Sequence, residues 1–186
     1  MISDSFSLAP GVVMRTLEVT DAEALSEAYR VNREHLGPWE PRRPEDFYTP
    51  EGQDVRVRER LAQRDEGRLL PWVLTDNGTI VGGINLANVV TGPFRSANLG
   101  YWMAASHTGR GLATGAVAHA CDFARDRRIL HRIEAGTLVH NTASQRVLAK
   151  CGFEAIGLAR SYLHIDGAWR DHRLFQRILH DDPPPA

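Results

Sequence analysis

The sequence predicts an α+β fold, in the wider sense an α/β protein. It reads as a mixed sheet of about seven strands, mostly antiparallel with one parallel pair, flanked by about four helices. Three observations carry this. In "LLPWVLTDNGTIVGGINLANVV" an Asn77-Gly78 dipeptide separates two apolar runs, the signature of a β-hairpin. In "ARSYLHIDGAWRDHRLFQRIL" Asp166-Gly167 divides the closing segment the same way. Between these hairpins a strand pattern at 97–105, a helical pattern from Leu112 and a strand pattern at 131–139 form one strand–helix–strand unit, whose strands run parallel.

The elements follow in order. "GVVMRTL" (11–17) reads as the first strand. In "TDAE" (20–23) Thr20 can cap a helix while Glu23 reaches back, a capping box. That helix is expected to run to about Leu36, where the four prolines of "GPWEPRRPEDFYTP" end it. Thr49-Pro50 combines a cap with a proline at the first helical position, so a polar helix is expected over about 51–66. After the first hairpin and "ANLGYWMAA" (97–105), Leu112, Ala113, Ala116, Val117, Ala120 and Ala124 recur at helical spacing. "HRIEAGTLV" (131–139) is a strand, and "NTASQRVLAKCG" a short helix capped by Asn141 and stopped by Gly152. The expectation is one domain over 1–181, with a flexible proline-rich tail over 182–186.

Composition narrows the function classes. The 186 residues suffice for one domain with a full core, and a formal net charge of -1 offers no basic stripe for nucleic acid. No apolar run approaches the roughly 20 residues of a membrane span. "MISDSFSLAPG" lacks the basic start and apolar centre of a signal peptide. Two cysteines, Cys121 and Cys151, make no disulfide framework and read as buried hydrophobes in a reducing cytoplasm. The eight histidines show no metal-binding spacing, so no metal is expected.

The stretch "HTGRGLATGA" (107–116) is the chemical focus. Three readings compete. Glycines at 109, 111 and 115 can simply form a tight strand-to-helix turn. With Glu134 near the end of the next strand they also make a loose dinucleotide fingerprint, but only one strand–helix–strand unit is visible where that fold needs several. The third reading is a pyrophosphate cradle. A helix start exposes unpaired N–H groups and the positive end of the dipole, and glycine lets an anion approach closely. The lysine and hydroxyl of a P-loop are absent, which argues against a nucleoside triphosphate.

The order strand–"TGRGLA"–helix–strand–"HNTASQRVLAKCGF" resembles the GNAT superfamily of N-acetyltransferases. Their pyrophosphate motif is Q/R-x-x-G-x-G/A; here Gly111 and Ala113 fill its last two places, and Thr108 stands where Gln or Arg is usual. "VNREHLGPWEP", "LGYWM", "NTASQRVLAKCGF" and "YLHIDGAWRDHRLF" are similar to the RimJ/RimL branch, which is associated with acetylating protein N-termini, especially those of ribosomal proteins.

The resemblance implies a GNAT fold with a splayed parallel pair and acetyl-CoA wedged between the "LGYWM" and "HRIEAGTLV" strands. It places Trp102, Met103, Gly109, Arg110, Gly111, Leu112, Ala113, Thr114, Asn141 and Ser144 against the cofactor, with the pyrophosphate on the amides of Gly109 to Thr114. The backbone N–H of Met103 would face the thioester carbonyl and stabilise the developing oxyanion. Transfer would be direct, to a primary amine. The acceptor is expected to be a protein N-terminal amine; the alternatives are a small amine (antibiotic, polyamine or amino acid) and a non-catalytic acyl-CoA-binding module. No nucleic acid or membrane partner is expected, and relatives include monomers and homodimers.

Each catalytic candidate has a plainer reading beside it. Glu134 is the candidate base, or a strand-surface partner of a neighbouring arginine; Gly136, two residues on, offers no carboxylate. Ser144 is the candidate donor to the leaving thiolate, or only a first-turn residue of the helix that Asn141 caps. Cys151 ends a helix, where the dipole disfavours a thiolate, so a covalent nucleophile is not expected. His35 and His140 are the histidines nearest the site, and Trp39 is a candidate wall for the acceptor groove. Glu45, Asp46, Glu51 and Asp54 either attract a basic N-terminus or form a solvated face.

Overall fold

Near-continuous burial along the middle of β3 (Leu69–Asp76) and β4 (Thr79–Val90), which pair with each other and, through β3, with β2 (Val12–Thr16), marks an antiparallel meander with both faces covered. The structure, a computed structural model, describes residues 5–127 and 129–183; residues 184–186 of the expected tail lie outside them. The remaining strands are β1 (Ser5–Ala9), β5 (Ser96–Met103), β6 (Arg132–Leu138), β7 (Glu154–Ile165) and β8 (Ala168–Ile178). All eight lie in one sheet in the order β1-β2-β3-β4-β5-β6-β8-β7. The sequence-based expectation of about seven strands lacked β1. That strand is short and polar, and it turns into β2 through Pro10-Gly11, the only local signal it carries.

Adjacent residues of β3 point to opposite layers. Val73 packs beneath α1 (Ala22–Val31) and α3 (Pro50–Asp65), with Leu17, Leu25, Tyr29, Phe47 and Val57. Leu74 packs beneath α4 (Leu112–Asp126) and α5 (Thr142–Lys150), with Ile84, Leu86, Ala116, Val117, Ala120, Ile133 and Leu148. A short helix, α2 (Arg33–Leu36), leads from α1 into the proline-rich loop.

The parallel pair opens partway along. Ser96–Leu99 pairs with Arg132–Ala135; from there β5 runs on to Met103 and β6 to Leu138 without further pairing to each other. This splay is what creates room for a site.

Several caps behave as expected. Thr49 Oγ1 accepts from the Gly52 N–H, Asn141 Oδ1 accepts from the Ser144 N–H, and Gly152 (φ +76°) ends α5. Two expectations are corrected. Thr20 and Glu23 do not form the capping box. The Glu18 N–H donates to Asp21 Oδ2 instead, because a bidentate pair with Arg15 (2.6 and 2.8 Å) already holds that carboxylate on β2.

The first helix also does not run unbroken to Leu36. At Asn32, buried in the corner, the side-chain N–H₂ donates to Ala28 O and Oδ1 accepts from the Ala105 N–H at 2.9 Å, tying the α1–α2 corner to the turn after β5. Asn32→Ala should lower stability by about 0.5–1.5 kcal/mol, because the Ala105 N–H loses its partner while Ala28 O keeps the bond from the residue-32 N–H. A lowered urea midpoint checks this; an unchanged one means that packing alone holds the corner.

Candidate active site

The splay, the start of α4 and the proline-rich loop enclose one cavity of about 670 Å³. Its far end is the glycine stretch. Gly109 (φ +74°) and Gly111 (φ +77°) both adopt the left-handed conformation, and Gly111 is the residue that opens α4. A Cβ on either would meet nothing within 4 Å, so their outer sides face open space. Gly109, Gly111, Leu112, Ala113 and Thr114 line the cavity. A 15-residue helix therefore presents its free N–H groups to a concave wall, a cradle for an anion. Arg110 is not on that wall; its guanidinium turns to Asp76 at 3.9 Å. His107 bridges Asp76 (2.9 Å) and Ser106 (2.8 Å), holding the approach to the cradle against β3.

The middle of the cavity is the split between β5 and β6. The Ala104 N–H donates to Val81 O on β4. Backbone groups alternate sides along a strand, so the Met103 N–H points the other way, into the split. Trp102 shows its edge to the cavity, but its ring lies 4.7 Å from Tyr29 on the α1 side. Across the split Asn141 and Ser144 line the wall at the start of α5. Ser144 Oγ lies 2.7 Å from the Tyr101 hydroxyl, which also reaches the Ser144 carbonyl at 3.3 Å. Burial pushes the Tyr101 hydroxyl up to about 12, with the Ser144 hydrogen bond opposing it, so the phenol stays protonated across the neutral range. Thr137, also buried in this wall, has an Oγ1 with no protein partner among the described residues.

The near end is roofed by the loop after α2. His35, Trp39 and Glu40 line it, and the Trp39 ring sits 5.5 Å from His140 on the opposite bank. Arg42 reaches Asp166 at the β7–β8 turn (3.4 Å).

Other predicted residues lie elsewhere. Glu134 is not among the lining residues. It sits in the closed part of the parallel ladder, facing Asn98, and pairs with Arg132. Glu45, Asp46 and Asp54 pair with Arg33, Arg56 and Arg58, and those arginines hold the Glu45 and Asp54 carboxyls below the usual range. None of these three, nor Glu51, lines the cavity. Cys121 and Cys151 are buried, and burial pushes both thiols up, Cys121 to about 11, so neither is a ready nucleophile.

Residues 12–154 match the family described as "Acetyltransferase (GNAT) domain". The chain belongs to the GNAT acetyltransferase family. This acetyltransferase is 37% identical over 165 residues to the [Ribosomal protein uS5]-alanine N-acetyltransferase of Escherichia coli (strain K12), covering 88% of this chain and 85% of that one. Among solved structures it resembles the ribosomal-protein-S5-alanine acetyltransferase from Vibrio fischeri. That match has a TM-score of 0.92 and 33% identity, over 97% of this chain and 99% of that one. It also resembles Mycobacterium smegmatis RimJ in complex with CoA-disulfide, with a TM-score of 0.85 and 39% identity over 90% and 81% of the two chains. The first two residues that sequence reasoning missed, Tyr101 and Glu40, stand inside the quoted stretches "LGYWM" and "GPWEP". A polar residue next to a tryptophan in each was the available signal. The third, Thr137, left no signal that set it apart from the other polar residues of its strand.

Proposed function

We propose that this acetyltransferase transfers an acetyl group from acetyl-CoA to a protein N-terminal α-amine, of the kind carried by ribosomal proteins. The observation that supports it most is the continuity of the cavity. One concave wall joins an anion cradle, a backbone donor in the splay and a proline-rich roof open to a second molecule.

The residues fit acetyl-CoA. The left-handed glycines at 109 and 111 leave the α4 amides open to a pyrophosphate, and Thr137, which lines the cavity with its hydroxyl unpaired among the described residues, is the candidate partner for an amide of the pantetheine arm. When bound, acetyl-CoA supplies an activated acyl thioester. The Met103 N–H then serves as a donor to the carbonyl oxygen as negative charge develops, an effect of roughly 2.7–4 kcal/mol where single donors have been removed. Ser144 donates toward the leaving sulfur, and Tyr101 donates to Ser144 and fixes its hydroxyl. Asn141 spends its Oδ1 on the cap and so sets the turn that presents Ser144. Arg110 stays at the rim with Asp76, where its charge favours the approach of an anion without touching the cradle wall.

Two considerations favour an α-amine. Its pKa near 7.7–8.0 leaves a useful neutral fraction at physiological pH, whereas a lysine near 10.4 must be deprotonated at a cost of roughly 4 kcal/mol. The Escherichia coli and Vibrio fischeri relatives, both above 30% identity, are named for alanine acetylation of ribosomal protein S5.

The test offers the purified protein acetyl-CoA with two panels, peptides bearing free α-amines and small amines, and follows thiol release and product mass. Acetylation at the peptide α-amine is the expected result. Turnover on small amines alone replaces the acceptor. Acetyl-CoA binding without turnover on either panel leaves a binding module.

A further inference from the structure

Among the residues lining the main cavity there is one carboxylate, Glu40. It also lines an adjoining pocket, together with Tyr29, Phe47, Tyr48 and Asp166, so it stands where the two meet. Its side chain is 22% exposed, against 79% for Glu45 in the same loop. Among the described residues its one ion pair is with Arg43 at 3.6 Å, a loose contact beside the 2.5–2.9 Å pairs that neutralise Glu45 and Asp54. Arg43 is itself drawn away over the Phe47 ring, 4.8 Å from its centre. Glu40 is therefore a half-buried carboxylate, incompletely paired, at the point where a chain entering from the outer pocket would present its end to the splay. We propose that Glu40 receives the acceptor's α-ammonium group and takes its first proton. This rests on the acetyl-transfer reading above and adds to it the residue that binds and deprotonates the amine.

The chemistry is consistent. Burial raises the Glu40 carboxyl above its ordinary range while Arg43 and, more weakly, Arg60 of α3 oppose the rise. A base with a raised pKa accepts a proton closer to neutral pH, where general-base catalysis is most effective. The other charged and titratable groups that line its end of the two pockets are His35, Arg33 and Glu34 of α2, Tyr29 of α1, whose hydroxyl burial pushes up to about 12, Arg42 and Tyr48 of the loop, and Asp166 at the β7–β8 turn. The step balances. The ammonium gives one proton to Glu40. The free nitrogen then forms the C–N bond as the C–S bond breaks. Its second proton ends on the sulfur through the Ser144 hydroxyl, and Glu40 returns its proton to water.

The experiment uses Glu40→Gln and Arg43→Gln with a peptide that the wild type acetylates. In E40Q, kcat/KM should fall by about 100-fold, the lower end for a lost general base. Calorimetric binding of the peptide, measured without acetyl-CoA, should weaken about 10-fold, while acetyl-CoA binding stays at the wild-type value. The acid limb of kcat/KM should cease to follow Glu40 and follow the free peptide's α-amine, near pH 7.7–8.0, instead. In R43Q a lowering influence is gone, so Glu40 titrates higher and the acid limb should move to higher pH. Wild-type peptide binding and an unmoved pH profile in both variants overturn the assignment of Glu40 and leave the acetyltransferase reading standing. A wild type inactive on every peptide refutes that reading instead. Should E40Q fail to bind acetyl-CoA, its fold is lost and R43Q decides, by whether the limb moves.

Discussion

Gly111→Asp should lower acetyl-CoA affinity by about 100-fold or more with little change in the thermal stability of the unliganded protein. The two halves of this result come from one cause. Gly111 sits at φ +77° and ψ -3° as the residue before the first turn of α4, with nothing within 4 Å of its Cβ position. Aspartate tolerates that left-handed conformation better than most residues and is a favoured helix cap. In the empty protein its carboxylate satisfies the α4 amides and complements the dipole. Those are the groups a pyrophosphate would use, so the new side chain both occupies the donors and repels the ligand. Each charged hydrogen bond contributes roughly 1.5–3 kcal/mol. Losing two therefore costs about 3 kcal/mol or more, and every 1.4 kcal/mol is tenfold in affinity. Gly111→Ala separates the effects: it carries the left-handed strain without the charge, and should lose some stability and little affinity. Calorimetric titration with acetyl-CoA and a thermal melt read both quantities. Wild-type affinity in the aspartate variant would move the phosphate site away from α4.

What could be read from the sequence follows the range of the interactions. Hairpin turns at Asn77-Gly78 and Asp166-Gly167, the caps at Thr49 and Asn141, and the helix stop at Gly152 are decided within a few residues, and the structure has them where the local chemistry puts them. The glycine turn that opens α4 was legible for the same reason. The misses depend on how elements are placed against one another. Asn32 breaks a helix because it bonds to Ala105, 73 positions away. Asp21 displaces Glu23 at the helix start because Arg15, six positions back on β2, holds it. Glu134 was chosen as the candidate base for lying on the right strand, but the register places it below the opening, beside Arg132. Glu40 lies in a loop whose four nearby acids look alike in sequence. Only the fold distinguishes Glu40, half-buried and loosely paired, from Glu45, Asp46 and Asp54, which arginines pair at 3.2 Å or less.

Ser144→Ala should reduce kcat by about 100-fold, Tyr101→Phe by about 10-fold, and the double variant no further than Ser144→Ala alone. The magnitudes follow from proton donation to a leaving group, which contributes 10²-fold or more. The non-additivity follows from the geometry. Tyr101 and Ser144 are 43 positions apart but their hydroxyls are 2.7 Å apart, so in the proposed reaction Tyr101 would act on the leaving sulfur through Ser144. Once Ser144 is gone the phenol has nothing to relay to, and its own removal costs little more. The phenol also sets the expected pH profile. Burial favours its neutral form and holds its pKa at about 12, so Tyr101 should impose no alkaline fall in kcat below roughly pH 11. Steady-state kinetics on the four proteins, with acetyl-CoA affinity as a control that should stay within a few-fold, tests the coupling. If Ser144 only fills the first turn of α5, the single variants will share wild-type kcat and differ in stability alone. If Tyr101 contacts the sulfur independently, the two losses will multiply. The cycle thus distinguishes a relay from two separate donors, and either from a helix start with no part in the chemistry.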